Sequence, residues 1–210
     1  RFGIGGVTNN KLSDKYKISG YVAYGFKDDK LKYGITPSYL LNKETNSWVS
    51  ASYVDDLSEI GQIQFATQSR RFKIYDPRPI NISTFYNHKT YSTFIESKYV
   101  PKTDIYFGLA RTEIQPLFGY IYNTNDRLYS NFTFTTAQFA IQWNPFSNYM
   151  QTPTGRLEIE KRFPKFSFQF TKSFENILDS DFDFSKIDLR ISHEIPFLSG
   201  QNTSLIFQSG

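Results

Sequence analysis

Phe166-Ser167-Phe168-Gln169-Phe170-Thr171 puts an aromatic ring at every second position, with a polar side chain after each. Lys186-Ile187-Asp188-Leu189-Arg190-Ile191-Ser192-His193 repeats the alternation with charges on the polar side. Successive side chains of a strand point to opposite faces, so each run has one apolar face and one wet face. The two-residue period recurs along the chain, and nothing comparable has helical spacing. A sheet that is apolar outside and polar inside is what a membrane-spanning β-barrel needs.

Outward from these two runs, the same reading gives strands over Arg1–Thr8, Tyr16–Lys27, Leu31–Asn42, Trp48–Val54, Tyr91–Val100 and Asp104–Glu113. Gly119–Asn123 is weaker, and Tyr129–Trp143 is the longest candidate. Arg156–Arg162, Lys165–Ser173, Phe184–Ile195 and Thr203–Gln208 complete the set. Asp28-Asp29 signals a tight turn, and Asn42–Ser47, Asn123–Arg127 and Asn144–Gly155 read as turns or loops. Pro37 lacks an amide hydrogen and marks a bulge or an unpaired position. Between Asp55 and Tyr91 the pattern fades. Asp56 as N-cap, with Glu59 three residues on, predicts a short helical turn over Asp55–Gly61. Asp76-Pro77-Arg78-Pro79 breaks any element. A long loop over about 55–90 is therefore expected, on the external side of a barrel or folded into its mouth.

Strand length separates the possible covers for the apolar face. Soluble strands peak near ~5–6 residues, whereas strands that cross a bilayer need ~9–11. Several candidates are of the longer kind, and no helical segment is long enough to lie over an open sheet. The expected fold is all-β, an antiparallel up-and-down transmembrane β-barrel over residues 1–210 that forms a segment of a larger barrel. The alternative is a soluble β-sandwich or lipocalin-like binding module, whose strands alternate for the same reason.

Composition fits the first reading. Of 210 residues, 21 are Phe and 15 are Tyr, which suits strands and the aromatic girdles of a barrel. The chain has no Cys, so it has no disulfide framework and no thiolate nucleophile or metal ligand. A net charge of +4 is spread over single residues and pairs such as Arg70-Arg71 and Lys161-Arg162, which argues against a nucleic-acid surface. The first residues read as a strand already under way, and Ser204–Gly210 as a strand fading out. A piece of a longer protein is the expectation.

The pattern also assigns faces. Ile187, Leu189 and Ile191 point to lipid, and Asp188, Arg190 and Ser192 to the interior. Leu157 and Ile159 point out while Arg156, Glu158 and Glu160 point in, where opposite charges on neighbouring strands can pair. Tyr33, Tyr39, Trp48, Tyr53, Tyr99, Tyr106, Trp143 and Tyr149 supply interface-belt residues, although a sugar-stacking site would use the same side chains. His88 and His193 lie in different segments, so no metal site is expected. Ser192 and His193 point to opposite faces of one strand and form no nucleophile–base pair. Glu158 and Glu160 share a face, but no positioned nucleophile accompanies them, which leaves a hydrolase reading weak. Gly5-Gly6, Gly20 and Gly25 lie in strands, so they form no phosphate loop. No catalytic, cofactor-binding or metal residue is assigned.

Three segments resemble a known family. They are Lys15–Gly34 (KYKISGYVAYGFKDDKLKYG), Ala51–Gly61 (ASYVDDLSEIG) and Phe163–Ser192, in which a Pro-aromatic strand is followed by an Asp-aromatic-Asp segment. The set is similar to a Bacteroidota family of outer-membrane proteins of unknown function with an N-terminal carboxypeptidase-regulatory-like domain. The resemblance implies the C-terminal part of that family's barrel, with earlier strands and the periplasmic domain lying upstream. It implies no catalytic motif. Related N-terminal domains occur in TonB-dependent receptors, so the resemblance implies a non-enzymatic component of an envelope complex or transport system. That component would sit in the outer membrane of a Gram-negative bacterium, with the lipid bilayer and other envelope proteins as partners and no nucleic acid or cofactor.

The face assignment makes a measurable statement. Leu189→Lys should destabilise the protein by about 2–4 kcal/mol if the residue lies at the bilayer midplane, and Asp188→Asn far less. Equal tolerance at both positions in a detergent-refolding titration contradicts the assignment.

Overall fold

The computed structural model describes residues 2–9, 11–26, 29–61, 63–68, 84–124, 127–152, 155–196 and 202–210. The chain forms β1 (Phe2–Val7), β2 (Tyr16–Gly25), β3 (Lys30–Asn42), β4 (Ser47–Glu59), β5 (Phe85–Ser97), β6 (Thr103–Pro116), β7 (Tyr122–Thr124), β8 (Arg127–Tyr129), β9 (Phe132–Trp143), β10 (Asn148–Thr152), β11 (Gly155–Glu160), β12 (Lys165–Ser173), β13 (Phe184–Pro196) and β14 (Asn202–Ser209). One 3-10 turn, Ala66–Gln68, lies between β4 and β5.

Ten strands make a single antiparallel up-and-down sheet in the order β1-β2-β3-β4-β5-β6-β9-β12-β13-β14. The pairs β7–β8 and β10–β11 are side hairpins inserted in the connections before and after β9. The sheet is not closed among the described residues, and β1 and β14 are its edges. β3, β4, β5, β6, β9 and β13 have 12 to 14 residues each, beyond the ~9–11 that a bilayer crossing needs. The sheet has two ends. At the first end β2 joins β3, β4 joins β5, β6 leads to β9 and β12 joins β13. At the second, β1 joins β2, β3 joins β4, β5 joins β6, β9 leads to β12 and β13 joins β14.

The register sorts the side chains. Val49, Ile95, Phe107, Phe139, Phe170 and Ile187 stand directly opposite one another across six strands. The neighbouring row on the other face is Trp48, Glu96, Tyr106, Ala140, Gln169 and Asp188. Ile187, Leu189 and Ile191 are exposed at 53%, 48% and 42%, while Asp188 between them is 1% exposed. The apolar face is therefore the open one and the polar face the covered one. We call them outer and inner. The Phe166–Phe168–Phe170 ridge lies on the outer face, with Ser167 and Gln169 buried beneath it.

Four sequence-based expectations change. Asp55–Gly61 is not a helical turn: β4 runs on to Glu59, paired with β5 through Glu59↔Phe85. A ladder of backbone bonds to β5 outweighs a local cap, and the buried Asp56 carboxylate instead accepts a 2.6 Å bond from Tyr21 Oη. Because β5 begins at Phe85, the long connection is shorter than the predicted 55–90. Tyr129–Trp143 is broken at Ser130-Asn131 into β8 and β9. Arg156–Arg162 is not a strand of the ten-stranded sheet: among the described residues β11 pairs with β10 alone. Asp28, Arg70-Arg71 and Asp76-Pro77-Arg78-Pro79 lie outside the described residues. Pro37 behaves as expected, because pairing to β4 skips from Ile35↔Tyr53 to Ser38↔Ser50.

Two inner-face glycines make room for rings. A Cβ at Gly34 would lie 2.7 Å from Tyr21 Cε1, its cross-strand neighbour, and 3.3 Å from Val54 Cγ2. A Cβ at Gly108 would lie 2.8 Å from the Tyr106 ring, which stacks on Phe94 at 5.3 Å. A ring laid over a strand glycine fills the space that the missing side chain leaves. Gly34→Ala should therefore lower stability by about 1–3 kcal/mol, as Tyr21 is driven off Asp56. At Gly6, whose added Cβ meets nothing within 4 Å, alanine should cost little. Urea midpoints of the two variants in detergent check the difference.

Candidate functional site

The inner face is the polar surface that a function can use, and the chain covers it from both ends. From the first end, residues 63–68 fold inward over β12 and β14. Gln169 holds them with both atoms of its amide. Its Oε1 accepts from Ala66 N at 2.9 Å, and its Nε2 donates to Gln64 O at 3.1 Å. Gln208 Nε2 donates to Ile63 O at 3.4 Å. Phe65, between these bonds, is 3% exposed. Gln169 Nε2 also lies 3.2 Å from Asp188 Oδ2, and Asp188 Oδ1 pairs with Lys186 Nζ at 2.8 Å. An amide side chain can bind a backbone N–H and C=O together, so Gln169 takes the place of a neighbouring strand.

At the second end the β10–β11 hairpin closes over the same face. Lys165 Nζ meets Glu158 Oε1 at 2.7 Å and Oε2 at 3.0 Å, in a pair largely hidden from solvent. Arg156 Nη1 reaches Lys98 O in the β5–β6 turn at 3.1 Å. Gln151 Nε2 reaches Glu44 O in the β3–β4 turn at 3.4 Å. Ser147 and Arg162 bind each other twice at the hairpin's base, through Ser147 Oγ to Arg162 O and Arg162 N to Ser147 Oγ. Asn144, 1% exposed, donates to Tyr149 Oη at 2.8 Å. Charge pairing by Glu158 is thus as the alternation suggests, but it acts from a hairpin laid across the end of the sheet.

The Asp-aromatic-Asp segment has a definite task at the first end. Asp181 Oδ2 accepts from Thr133 N at 2.6 Å, and Asp181 N donates back to Thr133 O at 2.9 Å. Ser180 Oγ accepts from Thr135 N at 3.0 Å. These bonds satisfy the part of β9 that extends past the end of β12. Phe182 packs among Tyr129, Phe132 and Phe134, with ring centres 5.0, 6.2 and 5.9 Å away. Asp183 pairs with Lys172. Leu178 takes a left-handed φ of 51°, costly for a branched residue, and Arg111 Nε holds its carbonyl at 2.9 Å.

The predicted belt aromatics divide. Tyr33, Tyr53 and Tyr91 form an outer-face ladder toward the first end, with centroids 5.7 and 4.7 Å apart. Tyr39 packs on Tyr16, and Trp143 on Phe166, on the same face toward the second end. Trp48 and Tyr106 lie on the inner face, where Lys17 stands over the Trp48 ring at 5.3 Å. Tyr149 belongs to the hairpin, and Tyr99 to an exposed turn. His88 faces inward and bonds Thr90 at 3.0 Å, while His193 faces outward, edge-on to Phe163. The first end also carries a cleft of about 690 Å³ lined by charges of both signs, including Lys32, Asp56, Glu113 and Asp181. No group of three or more metal-ligating side chains occurs among the described residues.

Sequence reasoning missed Gln169 as an anchor and missed the inward course of residues 63–68. One signal was present: Ile63-Gln64-Phe65 keeps the apolar alternation inside a segment otherwise read as loop.

A model described as the family of unknown function (DUF5686) C-terminal domain matches residues 2–210. No curated protein and no solved structure matches the chain.

The hairpin should be sensitive to alkali. Burial pushes the Tyr149 hydroxyl up to about 12, against the opposing pull of its bond from Asn144. The folded protein then holds a proton that the unfolded chain loses near pH ~10. This stabilisation is whole below pH ~10 and drains as pH climbs toward 12. Melting temperatures between pH ~8 and ~12 should fall less steeply for Tyr149→Phe than for the parent protein.

Proposed function

The chain belongs to the DUF5686 C-terminal domain family, whose function is unknown, and from that premise we propose that it is a membrane-spanning part of an outer-membrane β-barrel. Its role on this reading is that of a non-enzymatic component of an envelope complex or transport system in a Gram-negative bacterium of the Bacteroidota. The supporting observation is the inverted sheet. An apolar row crosses six strands on the open face, while residues 63–68 and the β10–β11 hairpin cover the polar face. Exposed apolar patches of that extent mark contact with lipid or another protein.

Charges support one depth for the bilayer. Asp55, Lys89 and Glu113 share an outer-face row next to the Tyr53–Tyr91 pair, so the lipid boundary at the first end runs at those tyrosines. Barrels of this class put short turns on the periplasmic side and longer connections outside. The first end, with the connection from β4 to β5, then faces the exterior. The upstream periplasmic domain implied by the resemblance belongs on the opposite side.

Heat modifiability tests the reading. The full-length protein, extracted from membranes in detergent, should migrate differently on a gel before and after boiling. Recovery in the aqueous fraction without detergent would overturn the proposal and favour a soluble β-sandwich or lipocalin-like module.

A further inference from the structure

The two covers of the inner face are held by different chemistry. The β10–β11 hairpin is fixed by a buried ion pair, Lys165 with Glu158, and by the paired bonds of Ser147 and Arg162. Residues 63–68 are held by amide bonds from Gln169 and Gln208 and by the burial of Phe65. The Gln169 and Gln208 bonds go to main-chain atoms of the segment. Neutral bonds to backbone are weaker than charge-assisted ones, and water can replace them once the segment lifts. The face uncovered by such a movement is hydrophilic: Asp188, Lys186, Arg190, Ser167 and Gln169 lie there on adjacent strands.

We propose that residues 63–68 are a displaceable latch over the polar interior, that Gln169 is its catch, and that its release opens a path for small hydrophilic solutes from the first end. The hairpin at the second end, held by its ion pair, stays in place when the latch lifts. Gln169 suits this task because one side chain supplies both bonds. Phe65 is the only large apolar side chain among the described residues that is almost wholly buried apart from Tyr21, so it seats the segment. Asp188 sets the direction of the Gln169 amide. Its carboxylate can only accept, so the NH2 group turns toward it and toward Gln64 O, leaving Oε1 for Ala66 N.

The proposal rests on the membrane-barrel reading, and the experiment separates the two. The full-length protein is reconstituted in nanodiscs for hydrogen exchange at the Ala66 amide and in planar bilayers for ion conductance, with heat modifiability as the control. The parent protein should exchange slowly at Ala66 and conduct little. In Gln169→Leu, exchange at Ala66 should be at least about tenfold faster and conductance should rise. Phe65→Ala leaves the sheet strands untouched and should act in the same direction, which covers the case in which Gln169→Leu fails to fold. Unchanged exchange in both variants removes the catch. Faster exchange with unchanged conductance removes the path. A parent protein with no heat-dependent shift sinks the membrane reading and the path with it, while the Ala66 exchange still reports on the catch.

Discussion

Register is the constraint on which the rest of this structure depends. Side chains alternate with a period of two, so a slip of one residue between any two strands exchanges the faces. Across β4, β5, β6, β9, β12 and β13, one row holds Val49, Ile95, Phe107, Phe139, Phe170 and Ile187, and the next holds Glu96, Gln169 and Asp188. A slip would bury the first set beside ions and leave the second in an apolar surround. Specific devices prevent it. Tyr21 of β2 lies over Gly34 of β3, and the Tyr106 ring, laid over Gly108 of its own strand, stacks on Phe94 of β5, so both cross-strand contacts depend on register. Asp181 and Ser180 tie the β12–β13 loop to two amides of β9, which fixes β12 against that strand.

The inner face then follows from the cost of polar burial. A carboxylate at 1% exposure is tolerable only with partners, and Asp188 has Lys186 and Gln169. Burial also changes what a mutation there removes. Sequence alone treats Asp188 as a solvated lumen residue that tolerates change. In the fold it orients the amide that binds residues 64–66, so replacing it disturbs the connection after β4 as well as the sheet.

The strands were legible because their signal is local. A period of two over nine or more residues has few other readings, and the outward placement of Ile187, Leu189 and Ile191 came directly from it. What failed did so where long-range pairing overrides local chemistry. Asp56 and Glu59 carry an N-cap signature, yet β5 pairs with both, and no local pattern reveals a partner strand about 30 residues away. Arg156–Glu160 alternates as well as any strand of the ten-stranded sheet, but among the described residues it pairs with the short Asn148–Thr152 run alone. The role of Gln169 was invisible for a related reason. A glutamine on a polar face is ordinary, and what it binds is 105 residues away at Gln64.

Alternation by itself cannot distinguish a soluble sheet from a membrane one, since both have one apolar face. The distinction lies in where the chain sends the residues it does not need for strands. A soluble protein gains most by laying them over apolar surface, at about 25 cal/mol for each Å² removed from water. Here Phe107, Phe139 and Leu189 stay 47%, 39% and 48% exposed on the outer face. The segment after β4 and the β10–β11 hairpin both go to the polar side, where they gain hydrogen bonds and one ion pair. That allocation is unfavourable in water and favourable only where something else covers the outer face. On the proposed membrane reading lipid covers the whole row without needing a complementary shape, whereas a second protein layer would have to match six strands of Val, Ile and Phe side chains in register.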